Sequence, residues 1–294
     1  KVYWTYHLRR KWKSSLLAKL VAPLCPKRIY DLRAERSALL GDELRSIIVN
    51  SDLVRRDMVA SYPEIADKIQ VVHNGAEQAL IGPEETARLR ADMHRRLGLK
   101  PKARLALFIG HDFYRKGLDS AILSVAMALK KRPDLDWHLA VTGRGNIDHY
   151  QFVAQRAGIS DRLHYLGDMK DAFQAYAAAD VMVLPTHYDP FANVTAESLC
   201  YGVPVITTAE NGGCEIIQDG VNGWVVPTPD AIERMSDCLV NLACPDLLSR
   251  MKAAALDSSK DCRRLSTMES IERILEEAAR AKQNRIHLST DPVG

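Results

Sequence analysis

Residues 189–197 read DPFANVTAE and place two carboxylates, Asp189 and Glu197, eight positions apart, with Asn193, Val194 and Thr195 before the second. Upstream, FIGHDFYRKGLDS (108–120) sets Arg115 and Lys116 beside Gly117. These residue types suit a ligand that carries both phosphate and hydroxyl groups. Arg takes phosphate oxygens in bidentate fashion, Lys meets them as a point charge, and a glycine lets the backbone come close. A carboxylate one turn into a helix accepts hydrogen bonds from vicinal hydroxyls, such as those of a ribose, and an acid in the preceding loop can hold those of a sugar. The two acids are therefore read as holders of hydroxyls, not as an acid–base pair. Plainer readings stay open for each: exposed loop charge for Arg115 and Lys116, and an acid complementing a helix dipole for Glu197.

Both stretches require a strand before them and a helix after them. DVMVLP (180–185) reads as a buried strand, THYDPFA leaves it, and NVTAESLCYG reads as the next helix. Asn193 is expected as the N-cap, which frees the amides of Val194 and Thr195 to meet an anion. LALFIG (105–110) is a strand that ends ahead of a polar loop holding His111, and Arg115-Lys116-Gly117 opens the following helix. Two weaker features also follow strands: Gly143 and Gly145 in VTGRG (141–145), and Gly212-Gly213 in ENGGCEII (210–217). In open parallel sheets ligands sit beyond the carboxyl ends of the strands. Four anion- or hydroxyl-binding devices thus fall at one sheet edge.

The whole chain alternates in the same way. Short β-branched runs at 46–50, 69–73, 105–110, 137–143, 162–167, 180–185, 204–208 and 223–227 are separated by helical patterns, and from 230 onwards the pattern is helical. The longest helix is expected over 267–283. Such alternation with apolar strands predicts an α/β fold whose parallel sheet is covered on both faces. The aperiodic segment LGLKPKA (97–103) is taken as the boundary between a first unit with two clear strands and a second with about six. The domains are accordingly set at 1–98, 99–262 and 263–294, the last a helix crossing back to the first domain. Two strands are few for an independent sheet, and the chain opens on Lys1. A truncated N-terminal domain is therefore expected.

With 294 residues, 47% apolar and 26% charged, and a net charge of +3, the chain has the composition of a soluble globular protein. No apolar run reaches the roughly 18–20 residues that a membrane span needs. The six cysteines show no CxxC and no Cys/His ligand spacing, which fits free thiols in a cytoplasmic protein. Residues 1–36 carry ten Lys or Arg against Asp31 and Glu35, with aromatic residues interleaved. This stretch suits peripheral contact with an anionic membrane, such as the inner face of an inner membrane. No nucleic-acid motif accompanies it.

The order of these motifs resembles the retaining GT-B glycosyltransferases of the large family (family 4-like) that includes lipopolysaccharide-core glucosyltransferases and mannosyltransferases. That family's Glu-x7-Glu stretch, its GxPVI and its GGxxE appear as DPFANVTAE, GVPVI and GGCE; its phosphate loop appears as RKG; its N-domain signatures appear as IIVNS (47–51) and VVHNG (71–75). The resemblance covers about residues 45–285. It implies two Rossmann-like domains facing a cleft, the N-terminal one incomplete here. It also implies transfer of a hexose from a nucleotide-diphosphate sugar, expected to be a UDP-sugar, to a cell-surface glycan or glycolipid, with retention and without metal or other cofactor. Arg115 and Lys116 would hold the diphosphate, with Asp189 on the transferred sugar. His111, Asn193 and Val194 would sit near the phosphates, Glu197 on the ribose, and Gly143 and Leu166 beside the nucleobase. The alternatives are a hydrolysing or epimerising enzyme on the same scaffold, or a non-catalytic nucleotide-binding protein. Three departures stand out: Asp189 where Glu is usual, Ala192 where Gly is usual, and His111 where Arg is frequent. Asp134-Leu135-Asp136 looks like a metal-binding DxD, but it precedes the strand 137–143, at the opposite sheet edge. Asn-Val-Thr at 193–195 is read as a helix start, not a glycosylation acceptor.

Overall fold

The computed structural model describes residues 26–77, 81–169, 172–260 and 264–290. The chain divides into two compact units: 1–49 with 54–71 and 273–294, and 50–53 with 72–272. In the smaller unit, helix α1 (Pro26–Leu39) precedes strand β1 (Ile47–Val49), helix α2 (Asp52–Ser61) and strand β2 (Ile69–Val71). The two strands pair in parallel, with Ile47 opposite Ile69 and Val49 opposite Val71. Val49, Ile65 and Ile69 are buried there, with Leu39, Met58 and Val59 packed around them. Of the basic stretch 1–36, residues 1–25 lie outside the described residues. Among those described, no helix is long and apolar enough to cross a membrane.

The larger unit begins with helix α3 (Pro83–Arg96) and continues through β3 (Arg104–Ile109), α4 (Leu118–Lys131), β4 (Trp137–Thr142), α5 (Ile147–Arg156) and β5 (Leu163–Gly167). Then come α6 (Phe173–Ala178), β6 (Val181–Leu184), α7 (Asn193–Cys200), β7 (Val205–Thr208), a 3₁₀ turn (Gly212–Ile216) and β8 (Gly223–Val226). Helices α8 (Ile232–Asn241) and α9 (Pro245–Ser258) follow, and then α10 (Arg264–Thr290), whose residues from Arg273 onwards are counted with the smaller unit. The six strands are all parallel, in the order β5-β4-β3-β6-β7-β8. The chain thus winds outwards from β3 in one direction and from β6 in the other. A crevice opens where the winding reverses, and this is where such sheets bind ligands.

The strands read as continuous apolar runs because both faces are covered. Leu105, Ala106, Leu107 and Phe108 of β3 and all four residues of β6 are fully buried. On α4, Leu118, Ala121, Ile122, Val125 and Ala128 recur at helical spacing and face the sheet. Leu97 and Leu99, from the aperiodic segment, pack against this same core. Residues 212–216 form a 3₁₀ turn where the sequence pattern suggests a helix over 212–218. The Asn211 side chain accepts from the Gly213 amide at 2.9 Å and tightens the turn.

One buried charge ties the helices to the base of the sheet. Asp180, 1% exposed, accepts from the Leu105 amide at 2.9 Å. It also faces Arg90 at 2.9 Å, Lys252 at 3.2 Å and Arg104 at 3.6 Å. Burial pushes its carboxyl up, but Lys252 and Arg90 outweigh burial and hold it below the ordinary carboxylate range. Removing the acid strands buried cations, so Asp180→Ala is expected to cost roughly 3–5 kcal/mol. Urea unfolding measures this, and a loss below about 1 kcal/mol would mean that the cations find other partners.

Candidate functional site

The reversal point lies between β3 and β6, so the loops that matter are Gly110–Gly117 and Pro185–Ala192. Both belong to the larger unit. Gly117 is left-handed (φ 77°), and a Cβ there would run into the Pro185 carbonyl. Gly143, at φ 129°, presses its backbone against the Gly110 carbonyl in the same way. Glycine is the residue that permits both the dihedrals and the approach. Asp112 takes φ 56°, a region Asp tolerates, and turns the loop so that the Lys116 amide returns to the Asp112 carbonyl at 3.1 Å.

This turn brings Arg115 and Lys116 onto Asp189. Arg115 Nη1 lies 2.6 Å and Lys116 Nζ 2.8 Å from Asp189 Oδ2. Asp189 Oδ1 accepts from the Phe191 amide at 3.2 Å, and Arg115 Nη1 also donates to the Tyr188 carbonyl at 3.1 Å. Lys116 and Asp189 are only 8% and 6% exposed. Burial lowers the Lys116 pKa, opposed by the Asp189 charge. Burial likewise pushes Asp189 up, but Lys116 and Arg115 together hold it below the usual carboxylate range.

A cavity of about 380 Å³ opens over this ion triad. His111, Arg115, Lys116, Gly143, Asp189, Asn193 and Val194 all line it, so seven residues singled out from the sequence meet at one place. Thr142, Asp168 and Phe191 complete much of the wall. The first turn of α7 points its amides here. Asn193 is the first helical residue and not the cap: Ala192 is the N-cap, and the Asn193 Oδ1 accepts from Asn74 Nδ2 at 2.8 Å. The Thr195 amide bonds the Ala192 carbonyl at 2.8 Å, so the amides with no carbonyl in their own helix are those of Asn193 and Val194. Ala192 stands at φ −72°, which any residue adopts, so no glycine is required there. His111 is exposed, and its Nδ1 accepts from the Arg144 amide at 3.2 Å.

Glu197 lies one turn further along α7, half-buried, and its charge reaches Lys116. Its Oε2 accepts from the Tyr176 hydroxyl at 2.8 Å. Burial, then the Glu197 charge, raise the Tyr176 phenol well above its ordinary value, so it remains a donor. Leu166 packs against the sheet core. Its neighbour Tyr165 reaches the site instead, donating to the Gly143 carbonyl at 2.9 Å. Asp134 and Asp136, the DxD-like pair, are engaged by Arg132 and Arg162, each at 2.7 Å.

Several residues that hold the site were not singled out from the sequence. Asn211, fully buried, accepts from Ala192 and Gly213 amides at 3.1 and 2.9 Å and donates to Thr195 and Thr207 hydroxyls at 3.1 and 3.0 Å. The Asp189 amide and carbonyl meet the Glu210 carbonyl and the Gly212 amide, both at 2.9 Å. Ser51 Oγ donates to the Pro190 carbonyl at 2.5 Å. Glu215 of GGCE accepts from the amides of Asp52 and Leu53 at 2.8 and 2.9 Å and pairs with His73 at 2.9 Å. The only sequence signal for Asn211 is its position ahead of Gly212-Gly213.

A parallel sheet wound outwards from its centre is the fold of GT-B glycosyltransferases. Solved structures with this fold include WaaG, a glycosyltransferase involved in lipopolysaccharide biosynthesis (TM-score 0.73, 22% identity, 86% of this chain and 70% of that one). Another is Anabaena HepE in complex with UDP and glucose (TM-score 0.66, 20% identity, 79% and 63%). Residues 103–244 match the family described as Glycosyl transferases group 1. The chain is 29% identical over 288 residues to a D-inositol 3-phosphate glycosyltransferase of Thermomonospora curvata, covering 94% of this chain and 65% of that relative. It is 27% identical over 191 residues to an uncharacterised glycosyltransferase of Methanocaldococcus jannaschii, covering 63% and 48%. The chain spans between 45% and 65% of the length of these and similar curated relatives.

Two predictions follow from the hydrogen bonding and charge. Asn211→Ala leaves the Ala192 and Gly213 amides without their acceptor, and should lower unfolding stability by about 3 kcal/mol. Asp189 has a folded pKa below its unfolded value, so its stabilisation is present above the ordinary value of about 3.9 and is lost as pH falls through the folded pKa. The stability gap between the wild type and Asp189→Asn should therefore be flat near neutral pH and close below about pH 4. Urea titrations at several pH values measure both.

Proposed function

We propose that the protein transfers a hexose or related sugar from a nucleotide-diphosphate sugar to a glycan or glycolipid acceptor. The observation that carries this reading is the convergence of Arg115, Lys116 and the first turn of α7 on one cavity at the sheet's reversal point. In such a transfer the bond between the anomeric carbon and the donor phosphate breaks, and negative charge gathers on the departing diphosphate. Arg115, Lys116 and the amides of Asn193 and Val194 are fixed beforehand to meet that charge, so little reorganisation is needed as it forms. They supply what a divalent metal supplies elsewhere, and the reading is of a metal-independent enzyme.

Glu197 receives the ribose hydroxyls, and the neighbourhood of Gly143 the nucleobase. UDP is the proposed nucleotide, supported by the UDP bound to HepE on the same fold. Asp189 combines two tasks: it keeps the cations together and offers its remaining lone-pair capacity to the transferred sugar. Retention at the anomeric carbon, a cell-surface acceptor such as a lipopolysaccharide core, and peripheral contact of residues 1–36 with anionic membrane belong to the same proposal. The relatives' names support a glycan or phosphorylated-polyol acceptor class without choosing within it.

Transfer assays with the full-length protein over a panel of nucleotide sugars test the reading. Lys116→Ala is expected to lower kcat by about 10²-fold or more, as loss of one preorganised charge-stabilising group does elsewhere. Glu197→Ala is expected to raise the donor KM more than it lowers kcat. Unchanged turnover in both variants would sink the site.

A further inference from the structure

We infer that Tyr176 is a positioning residue for donor recognition: its hydroxyl, 2.8 Å from Glu197 Oε2, fixes the carboxylate so that Oε1 faces the nucleotide's ribose. The inference rests on the proposed role of Glu197 and adds a residue from a different element of the fold. Tyr176 sits on α6, where its amide bonds back to the carbonyl of Ala172 at 3.0 Å. Ala172, the N-cap of α6, lines the same cavity as Asn193 and Val194 of α7, and about one turn further each helix carries one member of the Tyr176–Glu197 pair.

The pair is built for rigidity. Tyr176 is 2% exposed, and its ring stacks on Tyr201 at 5.0 Å with an interplanar angle of 7°. The stack and the burial hold the ring, and with it the phenolic oxygen, in one place. A phenol has one proton to donate, and here it goes to Glu197. Glu is otherwise a poor recognition residue at a helix surface, because three side-chain torsions must be frozen before it can accept two hydroxyls in register. With one oxygen anchored, the carboxylate plane is set before ligand arrives, and the ligand meets a preorganised acceptor. Phenylalanine at 176 would keep the stack and the packing and remove only the anchor.

Calorimetry of the full-length protein with UDP, 2′-deoxy-UDP and 3′-deoxy-UDP tests this. The wild type is expected to bind UDP about tenfold or more tighter than at least one deoxy analogue, because a site built to hydrogen-bond a hydroxyl rejects the ligand that lacks it. In Tyr176→Phe, UDP affinity should fall while the deoxy analogue's is nearly unchanged, bringing the ratio to about threefold or less. A merely structural tyrosine would weaken all three ligands alike and leave the ratio intact, and that result overturns the inference. Glu197→Ala separates the two levels. If it preserves the full ratio, or if UDP does not bind the wild type, the ribose role of Glu197 fails and the inference with it. If it abolishes the ratio while Tyr176→Phe retains it, only the positioning role fails. Binding stoichiometry reports the folded fraction. Should Tyr176→Phe not fold, Tyr201→Leu, which keeps the hydroxyl but loosens the ring, should give an intermediate ratio; an undiminished one would also overturn the inference.

Discussion

Two cations side by side in a largely buried position repel each other and lose hydration, and a compensating acid offsets both costs. Asp189 is that acid. Its Oδ2 is shared between Arg115 and Lys116 at 2.6 and 2.8 Å. The carboxylate comes from the loop after β6 and the cations from the loop after β3, the two strands between which the sheet reverses its winding. The ion triad therefore does more than hold charge: it ties the two loops together, and the Asp189 charge opposes the lowering of the Lys116 pKa by burial.

Everything around the triad serves to keep Asp189 where it is. Its backbone is paired on both sides with residues 210 and 212, and Asn211, between them, spends all its amide capacity on the loops and strands next to Asp189. Ser51 and Asn74, from the short IIVNS and VVHNG motifs, bond Pro190 and Asn193 within the DPFAN stretch. Glu215 holds the segment that carries Ser51 by bonding the next two amides. Motifs far apart in the chain thus share one task, the placement of a single loop. Such fully satisfied polar networks specify a unique geometry where an apolar packing would tolerate drift.

The fold was legible because it depends on local signals. Every strand inferred from an apolar β-branched run is present, since strands buried on both faces need such runs. The cationic loop and the start of α7 were legible for the same reason: each directly follows a strand. What escaped the reading depends on partners distant in sequence. Asn193 looked like a helix cap because the local pattern favours it, but its side chain is taken by Asn74, and no periodicity reveals a partner 119 positions away. Tyr176 lay in an apparently ordinary helix, its link to Glu197 invisible without the third dimension. Leu166 and Tyr165 differ only in parity along β5, and it is Tyr165 whose side chain meets Gly143. The sequence around Asp189 points to an acid reaching for sugar and carries no sign of its ion pairs with Arg115 and Lys116, which come from a loop far earlier in the chain.

The shortened first acid makes physical sense in this setting. Its backbone is held from both sides, so side-chain length alone decides where the carboxylate sits. An aspartate puts Oδ2 between Arg115 and Lys116 while Oδ1 turns back to the Phe191 amide. A glutamate would carry the same charge one methylene further, past the amide and towards the cavity. The shorter acid therefore favours holding the cations over touching the ligand.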